Sequence, residues 1–148
     1  MKRIIPHMIE WFERYINHKD MMAKKIQTIN KKEDHIIVTY KDKTQDFFFF
    51  PVLSDFDPKI MDGVQNPSIV MINSKDNIAN LIKRWPQLIK YPKLSVYSIN
   101  PFSEPDNKWI LFPYTHHQIS DSKSLGEGLK SMFETVKPIT LEDYAQNI

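Results

Sequence analysis

Ser68-Ile69-Val70-Met71-Ile72-Asn73-Ser74-Lys75 carries four consecutive apolar residues into a polar exit, and residues 76–90 follow with apolar side chains every three or four positions. A short apolar run closed by polar residues has the composition of a strand covered on both faces. The stripe Ile78, Leu81, Ile82, Trp85, Leu88 and Ile89 that follows it predicts an amphipathic helix. Ser74 or Asp76 can cap that helix, Pro86 predicts a kink or a fresh turn inside it, and Pro92 bars its continuation. Leu94 to Ile99 then returns to strand composition. A strand–helix–strand unit of this length implies a parallel pair with a right-handed crossover, and hence an α/β domain.

Upstream, His35 to Tyr40 and Gln45 to Leu53 flank the turn Lys41-Asp42-Lys43-Thr44 and predict a hairpin. The second arm holds four consecutive phenylalanines, Phe47 to Phe50, apolar on both faces and therefore suited to the middle of a sheet. Over residues 6–30, Met8, Phe12, Tyr15, Met22, Ile26 and Ile29 predict one long helix. Residues 54–67, with Asp-Pro, Asp-Gly and Asn-Pro dipeptides, read as a loop.

Downstream, Asn100 to Asn107 is a loop and Lys108 to Tyr114 a strand. Ser124-x-x-Glu127 reads as a capping box for a helix striped by Leu125, Leu129, Met132, Phe133 and Val136. Pro138 opens a short tail, 138–148, with room for one helical turn. The expected fold is one layered α/β domain over residues 1–148. Its order is α-β-β-β-α-β-β-α around a central mixed sheet of about five strands.

A chain of 148 residues is long enough to bury a sizeable core, and its lack of cysteine leaves no disulfide or thiolate metal site. Charged pairs interrupt every apolar run long before bilayer length. Met1-Lys2-Arg3-Ile4-Ile5-Pro6 opens like a leader but lacks its apolar core and small-residue cleavage site, so the expected compartment is the cytoplasm. The net charge of +2 names no partner. Its distribution is uneven: residues 46–74 hold four aspartates against one lysine, and residues 75–98 five basic residues against Asp76. That polarity suits a metal beside a phosphate backbone, and it is equally an ordinary solvated surface.

The element order, Asp46 at the start of the Phe-rich strand and Asn73-Ser74-Lys75 closing the next resemble the restriction-endonuclease-like (PD-(D/E)xK) superfamily over about residues 6–115. The resemblance implies a divalent cation held by two acids and a lysine that activates or positions water. Asp46 matches the first acid and Lys75 the lysine. Asn73 stands where the second acid belongs, and Glu13 matches an additional carboxylate seen in some members. Asp57 and Asp62 are alternatives for the first acid. A carboxamide offers magnesium one neutral oxygen in place of a charged one, so the implied protein is an inactivated relative, with magnesium relevant only to a live nuclease. Read without the resemblance, Asn73-Ser74 is what helix capping alone selects, and Lys75 is a solvated first-turn residue.

Lys83, Arg84, Gln87 and Lys90, with Asn80, recur along the polar face of the 76–90 helix as candidate phosphate contacts, a pattern shared with any outward helix face. His116-His117, read as extended, would point to opposite sides and not share a metal. Trp11, Trp85 and Trp109 read as core. With three glycines the chain has no phosphate-cradling loop, and no metal-binding or nucleophile-elbow motif appears. Two functions of different class follow. One is a catalytically degraded nuclease-like domain that binds nucleic acid or a protein of nucleic-acid metabolism. The other is a non-enzymatic interaction domain, working as a homo-oligomer or a complex subunit. A live metal-dependent nuclease built on Asp46, Asp57 or Asp62 ranks third.

Overall fold

A computed structural model describes residues 3–148; Met1 and Lys2, which begin the leader-like stretch, lie outside the described residues. Six strands form one mixed sheet in sequence order: β1 (Ile26–Lys31), β2 (His35–Tyr40), β3 (Thr44–Phe49), β4 (Pro67–Ile72), β5 (Ser95–Ile99) and β6 (Lys108–Leu111). β1, β2 and β3 pair antiparallel. β3, β4 and β5 form a parallel trio, and β6 returns antiparallel on the far edge. The layered α/β domain read from the sequence is therefore present, with one strand more than expected.

The extra strand comes from the segment expected to extend the first helix. Helix α1 (Ile4–Asp20) buries Met8, Phe12 and Ile16 against the sheet and stops at Asp20. The Asp20 carboxylate accepts the backbone N–H groups of Lys25, at 2.9 Å, and Ile26, at 3.0 Å. Between them Lys24 takes a left-handed conformation, φ 51°, that ends the helix. β-Branched Ile26, Thr28 and Ile29 then pair with β2. Met22, placed by its spacing in the apolar stripe, is 91% exposed.

Helices cover both faces of the sheet. On one face α1 and a C-terminal helix α5 (Leu141–Gln146) pack with Phe47, Phe49, Val70, Ile72 and Tyr97. On the other, α2 (Lys75–Leu88) and α4 (Leu125–Phe133) meet Ile69, Met71, Val96, Trp109 and Leu111. Phe47 and Phe49 face α1, where Phe12 lies 4.8 and 5.6 Å from them between ring centroids, while Phe48 turns to the other face and stacks on His35 at 4.3 Å. The Phe-rich strand is central and buried on both sides, as its composition requires. The loop before β4 is pinned by two short 3-10 turns, Leu53–Asp55 and Pro58–Met61.

Four local expectations change. The strand begun at Lys108 ends at Leu111, and Pro113 starts helix α3 (Pro113–Ile119), so the histidine pair is helical. His116 faces Trp85 edge-on at 5.6 Å, and His117 is exposed. Ser124 makes no capping bond because its backbone is already helical, φ −92° and ψ 0°, whereas a capping side chain needs extended backbone. Helix α2 runs through Pro86, which falls in its last turn. The stretch read as a tail is part of the core: Tyr144 on α5 is fully buried and bonds His7 Nδ1 at 2.7 Å.

Candidate functional site

At the exit of β4, Asn73 is completely buried and every polar atom of its side chain is used. Its Nδ2 donates to the carbonyls of Phe133, at 3.1 Å, and Val136, at 2.9 Å. Its Oδ1 accepts from Ser98 Oγ and Trp109 Nε1, each at 2.8 Å. Its backbone carbonyl takes the N–H of Ile139 at 2.9 Å. The residue ties the end of β4 to β5, β6 and the segment after α4. Ser74 caps α2 by accepting from Asn77 N, and Lys75 is an exposed first-turn residue.

Asp46 lies elsewhere. It pairs with Pro67 at the opposite end of the parallel β3–β4 ladder, six residues before Asn73. At about 3.3 Å per residue the two are roughly 20 Å apart. Asp46 Oδ2 is instead 2.9 Å from His35 Nε2 on the neighbouring strand. Asp46, Asn73 and Lys75 therefore do not form one metal site, which corrects the grouping drawn from the resemblance. The cause is the parallel pairing of β3 and β4, which sends the start of one strand and the exit of the next to opposite edges. The residues do not fit a shared magnesium ion, and no group of three or more metal-binding side chains occurs among the described residues. Asp57 caps the second 3-10 turn through Lys59 N, Asp62 accepts from the Tyr91 hydroxyl at 2.8 Å, and Glu13 pairs with Lys31 at 3.1 Å.

Lys83 and Gln87 on α2 are exposed, as is Lys90 in the turn just past the end of the helix expected to reach it, while Arg84 donates to the Ser54 carbonyl at 3.1 Å and lies 5.8 Å over the Phe56 ring. The loop that holds Asp57 shares a shallow groove with Gln87 and Lys90.

The arrangement with most chemical capacity is one the sequence did not announce. Between the C-terminal half of α1 and the starting ends of β3 and β5 lies a cavity of about 340 Å³. Register sets Ser68 beside Ser95, and Gln45, two residues before Ser68's partner Phe47, reaches the pair on the diagonal. Gln45 Nε2 donates to Ser68 Oγ at 2.8 Å, and Ser68 and Ser95 share a bond of 2.6 Å. Ser95 lines the cavity and keeps hydrogen-bonding capacity toward it, since a hydroxyl can donate once and accept twice. Tyr15 from α1, Tyr40 from the end of β2 and Tyr97 from β5 form the walls, with Lys19, Lys25 and Lys43 nearby.

The hydroxyls of Tyr91 and Tyr144 bond to protein atoms; those of Tyr15, Tyr40 and Tyr97 have no protein partner among the described residues. Tyr97 is only 8% exposed. Burial pushes the ionisation of all three phenols upward, and for Tyr97 the neighbouring Tyr15 and Tyr40 add to it. They are neutral O–H donors at physiological pH. No spacing rule joins these residues, because they come from separate segments and only the sheet unites them. The available signal was the pair of serines opening two otherwise apolar strands.

A larger opening, about 620 Å³, lies at the other end of the sheet between α2 and α5. Its rim sets Asp76, Glu142 and Asp143 against Lys75, and the Ser74 and Thr140 hydroxyls there are spent on helix caps. It offers fewer unpaired donors than the tyrosine cavity. No helix among the described residues is long and apolar enough to cross a membrane. Comparison with protein-family models, with curated proteins and with solved structures returns no match for this chain.

Proposed function

We propose that this protein is a non-enzymatic binding domain that takes a small hydrogen-bonding molecule in the cavity beneath the C-terminal half of α1. The observation that carries the reading is the convergence of three buried or half-buried phenols, Tyr15, Tyr40 and Tyr97, without protein partners. No buried side-chain nitrogen or oxygen among the described residues lacks a partner, so these hydroxyls open onto the cavity itself, and donors gathered around one space suit a ligand. The groups that a hydrolase would need at the β4 exit are spent on structure, with Asn73 bonded on all sides. A screen of small polar metabolites by amide chemical-shift mapping tests it. The expected result is a saturable perturbation at Tyr15, Tyr40, Ser95 and Tyr97. A panel spanning neutral, anionic and cationic compounds that leaves those resonances unmoved would defeat the reading.

A second reading keeps the nuclease-like resemblance as a domain that has lost its chemistry and retains contact with nucleic acid. Lys83, Gln87 and Lys90 on one exposed face favour it. With Arg84 held by Ser54, two free lysines remain on that face, so the logarithm of affinity should fall with the logarithm of salt at a slope of only about −2. Absence of DNA and RNA binding at low salt removes this reading and leaves the first intact.

A further inference from the structure

We infer that the ligand of the tyrosine cavity is an oxyanion, a phosphate ester or a carboxylate, whose oxygens take the Tyr15, Tyr40 and Tyr97 hydroxyls as donors and the lysines beside them as counter-charge. The inference rests on the cavity being the binding site and adds the chemical class of what enters it. Lys19, Lys25 and Lys43 outnumber Asp20 and Asp42 around the space. Asp20 has each carboxylate oxygen engaged by one backbone N–H, of Lys25 and Ile26, so it has fewer free acceptor sites to offer a cationic ligand.

The aromatic faces are also committed. Trp11 stacks on Tyr15 at 5.7 Å, Lys108 Nζ lies 4.7 Å over the Tyr15 ring, and Lys43 Nζ lies 5.5 Å over Tyr40. A cationic guest would compete with ammonium groups for those faces, whereas an anion is attracted by the same ammoniums and by the O–H edges. The negative end of α1 points toward this region and opposes an anion. Its terminal carbonyls are partly satisfied, His18 O by Met21 N and Asp20 O by Lys24 N. At about 340 Å³ the space suits a single phosphate or carboxylate on a small body rather than a dinucleotide.

The test titrates the full chain with inorganic phosphate, glycerol 3-phosphate and benzoate, with glycerol and choline as neutral and cationic controls, by calorimetry and amide shift mapping. Phosphate compounds and benzoate form separate arms, so the result also distinguishes a phosphate ester from a carboxylate. The expected outcome is saturable binding of at least one anion, with shifts at Tyr97 and Ser95, and none for glycerol or choline. Tyr97→Phe, which removes only the hydroxyl, should weaken that binding about tenfold or more. Lys43→Gln, on an exposed turn, should weaken it as well and does not threaten the fold. Cavity binding of glycerol or choline as tight as that of the anions overturns the oxyanion class while leaving the cavity as a site. Anion binding equally tight in both variants, or mapping elsewhere, also overturns it. Cavity resonances unmoved by every probe overturn both the class and the site.

Discussion

Replacing Asn73 by aspartate would restore the acid that the nuclease resemblance lacks, and the structure predicts a damaged fold instead of a gained activity. Asn73 Nδ2 donates two bonds to backbone carbonyls in a position with no solvent exposure. A carboxylate keeps the two acceptor contacts with Ser98 and Trp109 and turns an oxygen toward the carbonyls of Phe133 and Val136. Two lost hydrogen bonds, with the Val136 carbonyl left without its Asn73 donor and the Phe133 carbonyl keeping only a long bond of 3.4 Å from Val136 N, cost about 3 kcal/mol. Keeping the charge in that dry setting adds to this, so about 4 kcal/mol at pH 7 is expected. That is a large share of the roughly 5–15 kcal/mol that holds a domain folded. Burial raises the native pKa of the new carboxyl, so the deficit should be smallest in acid and grow as pH rises through that raised pKa. Urea unfolding of Asn73→Asp and the parent at pH 5 and pH 8, with and without magnesium, measures it. An unfolding free energy within about 0.5 kcal/mol of the parent, or a selective stabilisation by magnesium, would refute the reasoning.

Tyr144→Ala should cost about 3–5 kcal/mol in urea unfolding, because it removes a fully buried ring packed between His7 and Phe102. The phenols of Tyr15, Tyr40, Tyr97 and Tyr144 have raised pKa values in the folded chain, so the stability they contribute is complete below the unfolded value near 10 and is lost as pH rises through the folded values. Tyrosinate absorbance should therefore lag behind that of the urea-unfolded chain above pH 10, and stability should fall there. Lys24→Gly relieves a left-handed lysine and should raise stability by about 0.5 kcal/mol after the entropy of glycine is subtracted, a shift in Tm of about 1–2 °C by calorimetry.

What the sequence revealed was whatever depends on local composition. The run Ile69 to Ile72 and the phenylalanines 47–49 are apolar on both faces, and only a strand between two helical layers satisfies that. Ser74 and the stripe after it fixed the start of α2. The end of α1 was hidden because Met22, Ile26 and Ile29 keep a helical spacing by coincidence; a carboxylate cap at Asp20 and a left-handed Lys24 override it. The site was hidden for a different reason. Asp46 and Asn73 seemed joinable because nothing in their spacing states that β3 and β4 run parallel. Tyr15, Tyr40 and Tyr97 seemed unrelated because only the strand register places Tyr97 near the end of β2 and under α1.

Open α/β sheets usually bind ligands outside the carboxyl ends of their parallel strands. Here the polar groups of that end are largely spent on the chain itself: Asn73 holds Phe133, Val136 and Ile139, Asn100 Nδ2 donates to the Lys137 carbonyl at 2.9 Å, and the Ser74 and Thr140 hydroxyls beside the larger opening cap helices. The hydroxyls of Tyr15, Tyr40 and Tyr97, without protein partners among the described residues, gather instead around the cavity at the other end of the sheet. The two ends should therefore answer to mutation in opposite ways. Removing the Asn73 amide breaks satisfied bonds and destabilises. Removing the Tyr97 hydroxyl deletes a polar group with no protein partner from a residue 8% exposed, and leaves its ring against Phe12 at 5.1 Å. Tyr97→Phe should thus change the unfolding free energy by less than about 1 kcal/mol, since the hydroxyl makes no protein bond and opens onto the cavity rather than being sealed in the core. A hydroxyl that makes no bond within the free protein is warranted by what it does when something else is present. Loss of more than about 1 kcal/mol in urea unfolding of Tyr97→Phe would mean that the hydroxyl serves the fold, and the cavity would lose its strongest claim to be a site.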